Sequence, residues 1–286
     1  MIFDLSTSST FLAIGGFTLG AIIGSFLNVV ILRLPSMMQT QWTADAREWL
    51  GMKSESESLF NLATPASHCP HCGTSLKHLH NVPIISFLFL RGRCGYCKAP
   101  ISLQYPIVET LIGVVTAYFV TMHGLSAIGI TSIVFSCTLL MLAIIDQRHQ
   151  LLPDQITMPF LWLGLLVNLD GLFAETSDAV LGAVVGYLSL WTIYWLFKLI
   201  TGKEGMGYGD FKLHAALGAW LGLKMLPLII FLSSTVAAVV GICAIAFAGK
   251  EKDIPMAFGP YLCISGWIAL QWGDSIITWY LSSFTF

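Results

Sequence analysis

The chain is 286 residues long, 56% hydrophobic and only 10% charged, with a formal net charge of -2. An ordinary soluble domain carries about 25% charged residues, so composition excludes a water-soluble enzyme and places the chain in a membrane. The small net charge decides little; where the charges fall along the chain decides more.

The stretch Leu5–Leu32 holds no charge and exceeds the roughly 20 residues that cross a hydrocarbon core. A cleaved signal peptide would need a basic segment before the run and a small-residue cleavage site after it. Neither is present, and residues 9–31 are read as the first span. Residues 33–104 then hold seven of the fourteen Lys and Arg residues, four of the seven His and two CxxC pairs. They also hold the polar Ser/Glu-rich stretch Lys53–Ser58. This reads as an extramembrane domain too small to build a generous core. Further spans are expected at 105–122, 127–145, 155–173, 179–199, 212–223, 225–248 and 256–281. Lys224 and Pro227 mark a tight turn or a broken helix between the fifth and sixth of these.

The expected class is an all-α polytopic membrane protein of about eight transmembrane helices, with a small cytoplasmic zinc-binding domain between the first two. Lipid demands helices or closed barrels, and the runs are too long for barrel strands. Three segments follow: 1–32 the first span, 33–104 the cysteine-bearing domain, 105–286 the helical membrane domain. Alternating sides with 33–104 in the cytoplasm puts every basic residue except Lys224 on that face, as the positive-inside rule requires. The acidic loop Asp170–Asp178 falls outside. No nucleic-acid partner is expected.

Asp146 closes the apolar run Leu139–Ile145, and Asp210 follows Gly207-Tyr208-Gly209 at the start of another. The alternation puts both at the cytoplasmic boundary, where ionisable groups are costly and functional. A lone boundary Asp reads more readily as a helix cap, a role that Asp154, after Pro153, fits best. The glycines favour chemistry at Asp210, because glycine adopts φ > 0 and admits another backbone. Two adjacent carboxylates share a proton. One then takes a proton from water while the other protonates a peptide carbonyl. His149 is read as a solvated neighbour of Asp146, and no HExxH is present.

Cys69-Pro70-His71-Cys72 and Cys94-Gly95-Tyr96-Cys97 are separated by 21 residues. Four thiolates at such spacing suit one structural Zn2+, and cytoplasmic thiols stay reduced. Gly73 and Gly95 suit the turns, His68 and His71 are spare ligands, and a pair of redox dithiols is the rival reading. A full thiolate shell leaves no open position, so the zinc is not catalytic. Cys137, Cys243 and Cys263 are expected as small core residues.

From about residue 16 to 265 the chain resembles the type IV prepilin peptidases, bifunctional leader peptidases and N-methyltransferases. The resemblance rests on Gly24-Ser25-Phe26-Leu27-Asn28-Val29-Val30-Ile31-Leu32-Arg33-Leu34-Pro35, the two CxxC pairs, the segment from Asp146 to Asp154, and Gly207-Tyr208-Gly209-Asp210-Phe211-Lys212. It implies aspartic-protease cleavage by Asp146 and Asp210 of a short basic leader after Gly, in prepilins or secretion pseudopilins, at the cytoplasmic face of a bacterial inner membrane. It also implies methylation of the new N-terminal residue, usually Phe, from S-adenosylmethionine. No Gly-rich fingerprint follows a strand, so no Rossmann cofactor site is visible. Candidates for the methyl-transfer site are Arg91–Lys98, Asn28, Arg33 and Glu109. Asn28 also reads as an interhelical contact and Arg33 as a boundary anchor. Two other classes compete: a proton-coupled transporter, whose carboxylates belong near the midplane between repeats, and a zinc-stabilised scaffold whose aspartates merely cap helices.

Overall fold

The computed structural model describes residues 5–52, 60–248 and 256–283. The stretch Lys53–Ser58 and the basic residues Lys250 and Lys252 lie outside the described residues. Among those residues the α-helices are α1 (Leu5–Trp49), α2 (Ile85–Phe89), α3 (Gln104–His123), α4 (Ala127–His149), α5 (Asp154–Val167), α6 (Thr176–Thr201), α7 (Tyr208–Leu221), α8 (Leu226–Ala248) and α9 (Gly259–Ser282). Extended pairing among them is limited to two isolated antiparallel bridges.

Five helical stretches are long and apolar enough to cross a bilayer: Ser9–Trp49, Gln104–His123, Ala127–His149, Thr176–Thr201 and Leu223–Ala246. The other expected spans differ for local reasons. α5 and α7 have 14 residues each, about 21 Å at the helical rise against a hydrocarbon core of about 30 Å. α9 has 24 residues but carries Gln271 and Asp274 inside it. The chain forms two compact units, Met1–Cys137 and Thr138–Phe286, divided within α4.

In the first unit α1 packs along α3. Its 45 residues run unbroken through Arg33 and Pro35, so the helix that begins as the first span continues into the segment expected outside the bilayer. Gly16, Gly20 and Gly24 recur every fourth residue on the contact face. A Cβ at Gly20 would lie 2.5 Å from the Ile112 carbonyl oxygen, and one at Gly24 would lie 2.8 Å from the Glu109 Cα. Van der Waals packing of small residues is what holds helices together where lipid removes the hydrophobic drive.

In the second unit α7 is the central element, packed by α5, α6 and α9. Its side chains from Leu213 to Leu221 are all buried, so it is apolar all round rather than amphipathic. It ends at Gly222, whose φ of +79° suits glycine, and a short turn, Leu223–Met225, leads into α8. Thus Gly222, rather than Pro227, makes the break expected near Lys224. α5 stops at Val167 instead of reaching residue 173 because Asn168 is spent on other partners. Its amide nitrogen donates to the carbonyls of Ala219 and Trp220 at 2.9 and 2.8 Å. Its side-chain oxygen accepts from Phe173 N–H at 2.9 Å. Trp220 in turn donates to the Phe160 carbonyl at 2.8 Å over Gly164, where a Cβ would come within 2.5 Å of its indole. These bonds fix the height of α7, and hence of Asp210 at its start.

Cys137 and Cys263 are buried as expected, whereas Cys243 is exposed. It lies on α8, most of which is left unburied by the rest of the chain.

Asp154 is the first residue inside α5, behind Pro153, and does not cap it. It accepts Lys212 Nζ on both carboxylate oxygens at 2.8 and 2.7 Å. With the pair's side chains 58% and 31% exposed, solvent screening limits its worth. Lys212→Met is expected to shift unfolding in detergent by less than about 1 kcal/mol, measured by thermal or denaturant melts.

Candidate active site and metal centre

Asp146 sits in the last turn of α4 and Asp210 in the first turn of α7. Both are buried, 5% and 7% exposed. Asp146 Oδ2 accepts the backbone N–H of Gly259, the first residue of α9, at 3.0 Å. The Asp210 carboxylate takes the N–H of Gly207, the residue that caps α7, an acid reaching back to a cap. The two carboxylates are within electrostatic reach of one another, and buried Cys263, one turn into α9, is within reach of both. Leu152 joins the two halves. A Cβ on Gly209 would lie 2.8 Å from the Leu152 Cβ, and one on Gly259 would lie 3.3 Å from its Cδ1 and 2.6 Å from Asp146 Oδ2. The ends of α4, α7 and α9 therefore converge on a small volume with a carboxylate on either side.

The glycines before Asp210 act differently from expectation. Neither Gly207 nor Gly209 has a positive φ. Gly209 is needed for its close approach to Leu152, and Gly207 is exposed, its Cβ position at ordinary contact distance from Asp210 Oδ2 and Gly209 N. What they supply is space. His149 is exposed, as expected. The sequence reading missed Gly259, although Gly259-Pro260 is a helix-start signal. It also missed His214, fully buried one turn beyond Asp210, neither ring nitrogen of which has a partner.

In the first unit the Sγ atoms of Cys69, Cys72, Cys94 and Cys97 all lie within 4.8 Å of one another. Cys69 and Cys97 Sγ are 3.8 Å apart. A tetrahedron of Zn–S bonds of about 2.3 Å has edges of roughly 3.8 Å, so the four thiols fit a metal ion. They are presented by two matching turns. Gly73 N–H donates to the Cys69 carbonyl at 2.9 Å, and Lys98 N–H to the Cys94 carbonyl at 3.1 Å. Each turn closes on an isolated bridge, His68 with Ser75 and Arg93 with Pro100. The residue needing a positive φ follows the second cysteine, Gly73 at +67° and Lys98 at +62°. Gly95, expected to serve the second turn, does not. Its Cβ position faces His80 at 3.0 Å, so there its smallness serves packing.

Backbone N–H groups of Cys97 and Tyr96 pull the Cys94 thiol down to about 6. Cys97 is held down by the Ala99 N–H, but desolvation and the neighbouring thiols outweigh it and push Cys97 up to about 11. Thiols so close resist joint ionisation unless a cation lies among them. Among the described residues no His joins the cluster; His68 Nδ1 faces the Ala66 carbonyl at 3.0 Å instead.

The methyl-transfer candidates separate. Arg33 Nη1 donates to the carbonyls of Asn61 and Leu62 at 3.0 and 3.2 Å, which makes it an anchor for the loop after α1. Asn28 bridges helices, donating to the Tyr105 carbonyl and accepting from Gln104 Nε2, both at 3.2 Å. Arg91–Lys98 is the second cysteine turn itself, with Arg91, Arg93 and Lys98 exposed. Glu109 is buried on α3, its Oε2 accepting the Ile84 N–H at 2.7 Å.

Five helical stretches long enough to span a bilayer, with two buried carboxylates within reach of one another at the end of α4 and the start of α7, define a membrane protein that carries an acid pair. Residues 18–123 match the family model for the bacterial Peptidase A24 N-terminal domain, and residues 133–242 match that of the type IV leader peptidase family. The chain is 53% identical over 264 residues to a prepilin leader peptidase/N-methyltransferase of Stutzerimonas stutzeri, covering 92% of this chain and 91% of that one. A protein of the same name from Pseudomonas aeruginosa is 50% identical over 264 residues, with 92% and 91% covered. One from Neisseria gonorrhoeae is 45% identical over 284 residues, with 98% of each covered. No solved structure matches. The chain belongs to the type IV leader peptidase family.

Proposed function

We propose that this protein cuts the short basic leader from prepilins or secretion pseudopilins after Gly and then N-methylates the new N-terminal residue. The single observation that carries the peptidase is the buried pair Asp146 and Asp210, held by Gly259 and Gly207 amides at the meeting of three helix ends. The pair holds one proton. The ionised member takes a proton from water as its oxygen attacks the carbonyl after the leader glycine, and the protonated member donates to the carbonyl oxygen. As the intermediate collapses, roles exchange and the leaving amine is protonated. Titration belongs to the pair jointly.

All eight longer helices, α1 and α3 to α9, lie in the membrane, α7 short because it is buried on every face by its neighbours. Residues 33–104 and both aspartates face the cytoplasm of a bacterial inner membrane, where the basic leader remains. The segments 1–32, 33–104 and 105–286 serve as span, metal-bearing insert and peptidase. S-adenosylmethionine supplies the methyl group.

A single Zn2+ held by Cys69, Cys72, Cys94 and Cys97 staples the two turns of a segment with little core of its own. About one equivalent of zinc per chain is expected from metal analysis. Cys94→Ser is expected to lose most of it and to expose residues 60–103 to limited proteolysis.

The test of the whole reading is incubation in detergent with a synthetic leader-bearing pilin peptide and labelled S-adenosylmethionine. Mass spectrometry is expected to find a leader fragment ending in Gly, and a methyl group on the new amine. An uncut peptide would overturn the peptidase assignment.

A further inference from the structure

We infer that Glu109 is the residue that binds the newly exposed α-ammonium of the cut substrate and takes its proton before methyl transfer. This rests on the methylation reading above.

Glu109 lies a turn and a half into α3 and is 6% exposed. Its backbone is pressed against Gly24 of α1. The carboxylate accepts one bond from the Ile84 N–H at 2.7 Å and one from the Ser25 hydroxyl. No Lys, Arg or His among the described residues pairs with it. A buried carboxylate without a cation is costly, and a membrane helix retains one where it has a function.

Its surroundings are short of the same thing. Gln104, one to two turns before Glu109, donates through Nε2 to Asn28, but its Oε1 is buried with no donor. Asn28 stands one turn beyond Ser25 on α1. Ser25, Asn28, Gln104 and Glu109 therefore form a patch between α1 and α3 in which one acceptor, Gln104 Oε1, has no donor and none of the four side chains is positively charged. Ile84, whose amide points at Glu109, is held at φ +60°, a conformation that a β-branched residue avoids. The fold keeps this N–H on the carboxylate against the local preference.

A primary ammonium answers both needs, with one positive charge and three donors. Leader cleavage creates that group: before the cut the same nitrogen is a neutral amide. A carboxylate that waits for the cation thus separates cut from uncut substrate. Chemically, Glu109 takes one proton from R–NH3+. The free amine's lone pair then forms a bond to the methyl carbon of the sulfonium donor. The carbon–sulfur bond breaks with its electron pair left on sulfur. The products are R–NH2+–CH3 and a neutral thioether, and Glu109 releases its proton to solvent.

The experiment compares binding of two fluorescent peptides, both starting at the mature Phe, one with a free N-terminus and one N-acetylated, in detergent without methyl donor. Wild type is expected to prefer the free amine by about 10- to 100-fold, the value of a buried charge-assisted bond. Glu109→Gln is expected to erase that preference and to lose methylation, while its melt and zinc content stay near wild type. Glu109→Asp keeps the charge and is expected to keep the preference with slower methylation, which decides the matter should Glu109→Gln not fold. A preference for the free amine that survives in Glu109→Gln would overturn the assignment, as would equal binding of both peptides by wild type. A wild type that discriminates the amine but transfers no label when donor is added sinks the methylation reading instead.

Discussion

Asp210→Asn is expected to lower leader cleavage by about 10^3-fold or more, with Asp146→Asn just as severe and the double variant no worse than either. Asn keeps the size of the side chain and an oxygen that can accept the Gly259 or Gly207 amide, so the helix ends should stay where they are. What it removes is the ability to hold and release a proton. Members of one proton-sharing unit fail together, which is why the losses should not multiply. Methyl transfer to a pre-cut peptide needs no acid pair and is expected to survive in both variants. Cleavage is read by mass spectrometry of the leader fragment, and methylation by label on a peptide that begins at the mature residue. A scaffold whose aspartates only cap helices would cut no peptide in wild type and would keep its function in both variants. Proton carriers of a transporter would give a flux defect with no peptide product in wild type. Residual cleavage within tenfold of wild type in either Asn variant would remove that aspartate from the chemistry.

The chemistry-bearing residues were legible because each is polar where its context is not. Asp146 ends an apolar run, Asp210 opens one, and four cysteines crowd the most polar segment. What could not be read was set by distant partners. Hydropathy marks where lipid ends, not where a helix ends, so α1 passes Arg33 and Pro35 unannounced. Leu169, Leu172 and Phe173 follow Asn168, yet α5 stops there because Asn168 is claimed by the carbonyls of residues 51 and 52 places on. By its sequence Gly95 suits the second cysteine turn, but the positive φ falls on the position after the second cysteine, which is Lys98. The hydrogen bond that fixes Asp146 comes from Gly259, 113 residues away, and no local pattern announces it.

Gly218→Ala is expected to destabilise the second unit by about 3 kcal/mol or more, at the upper end of overpacking costs, and to abolish cleavage although residue 218 is two turns from Asp210. α6 and α7 meet through bare backbone at this point. A Cβ on Gly218 would fall on the carbonyl of Gly182, and a Cβ on Gly182 would fall on that of Gly218. One turn along, Gly186 faces the His214 carbonyl, where a Cβ would lie 2.8 Å away. These neighbours are main-chain atoms in the middle of helices, so they cannot rotate aside as a side chain would. The only relief is to move α6 away from α7, and that strips contacts from a helix buried on every face. Asp210 rides on the first turn of α7, so a tilt or shift there carries its carboxylate away from the Leu152 and Gly259 end that positions Asp146. A misplacement of about 1 Å is enough to cost about 10^2-fold in rate, so cleavage should be lost before unfolding is complete. Gly15→Ala is the matched control: nothing lies within 4 Å of its Cβ position, and alanine favours a helix over glycine by about 1 kcal/mol, so that variant should melt no lower than wild type. Denaturant melts and cleavage assays on the two variants side by side decide it. Equal stability of Gly218→Ala and wild type would mean that the two backbones are not in contact at Gly182 and Gly218.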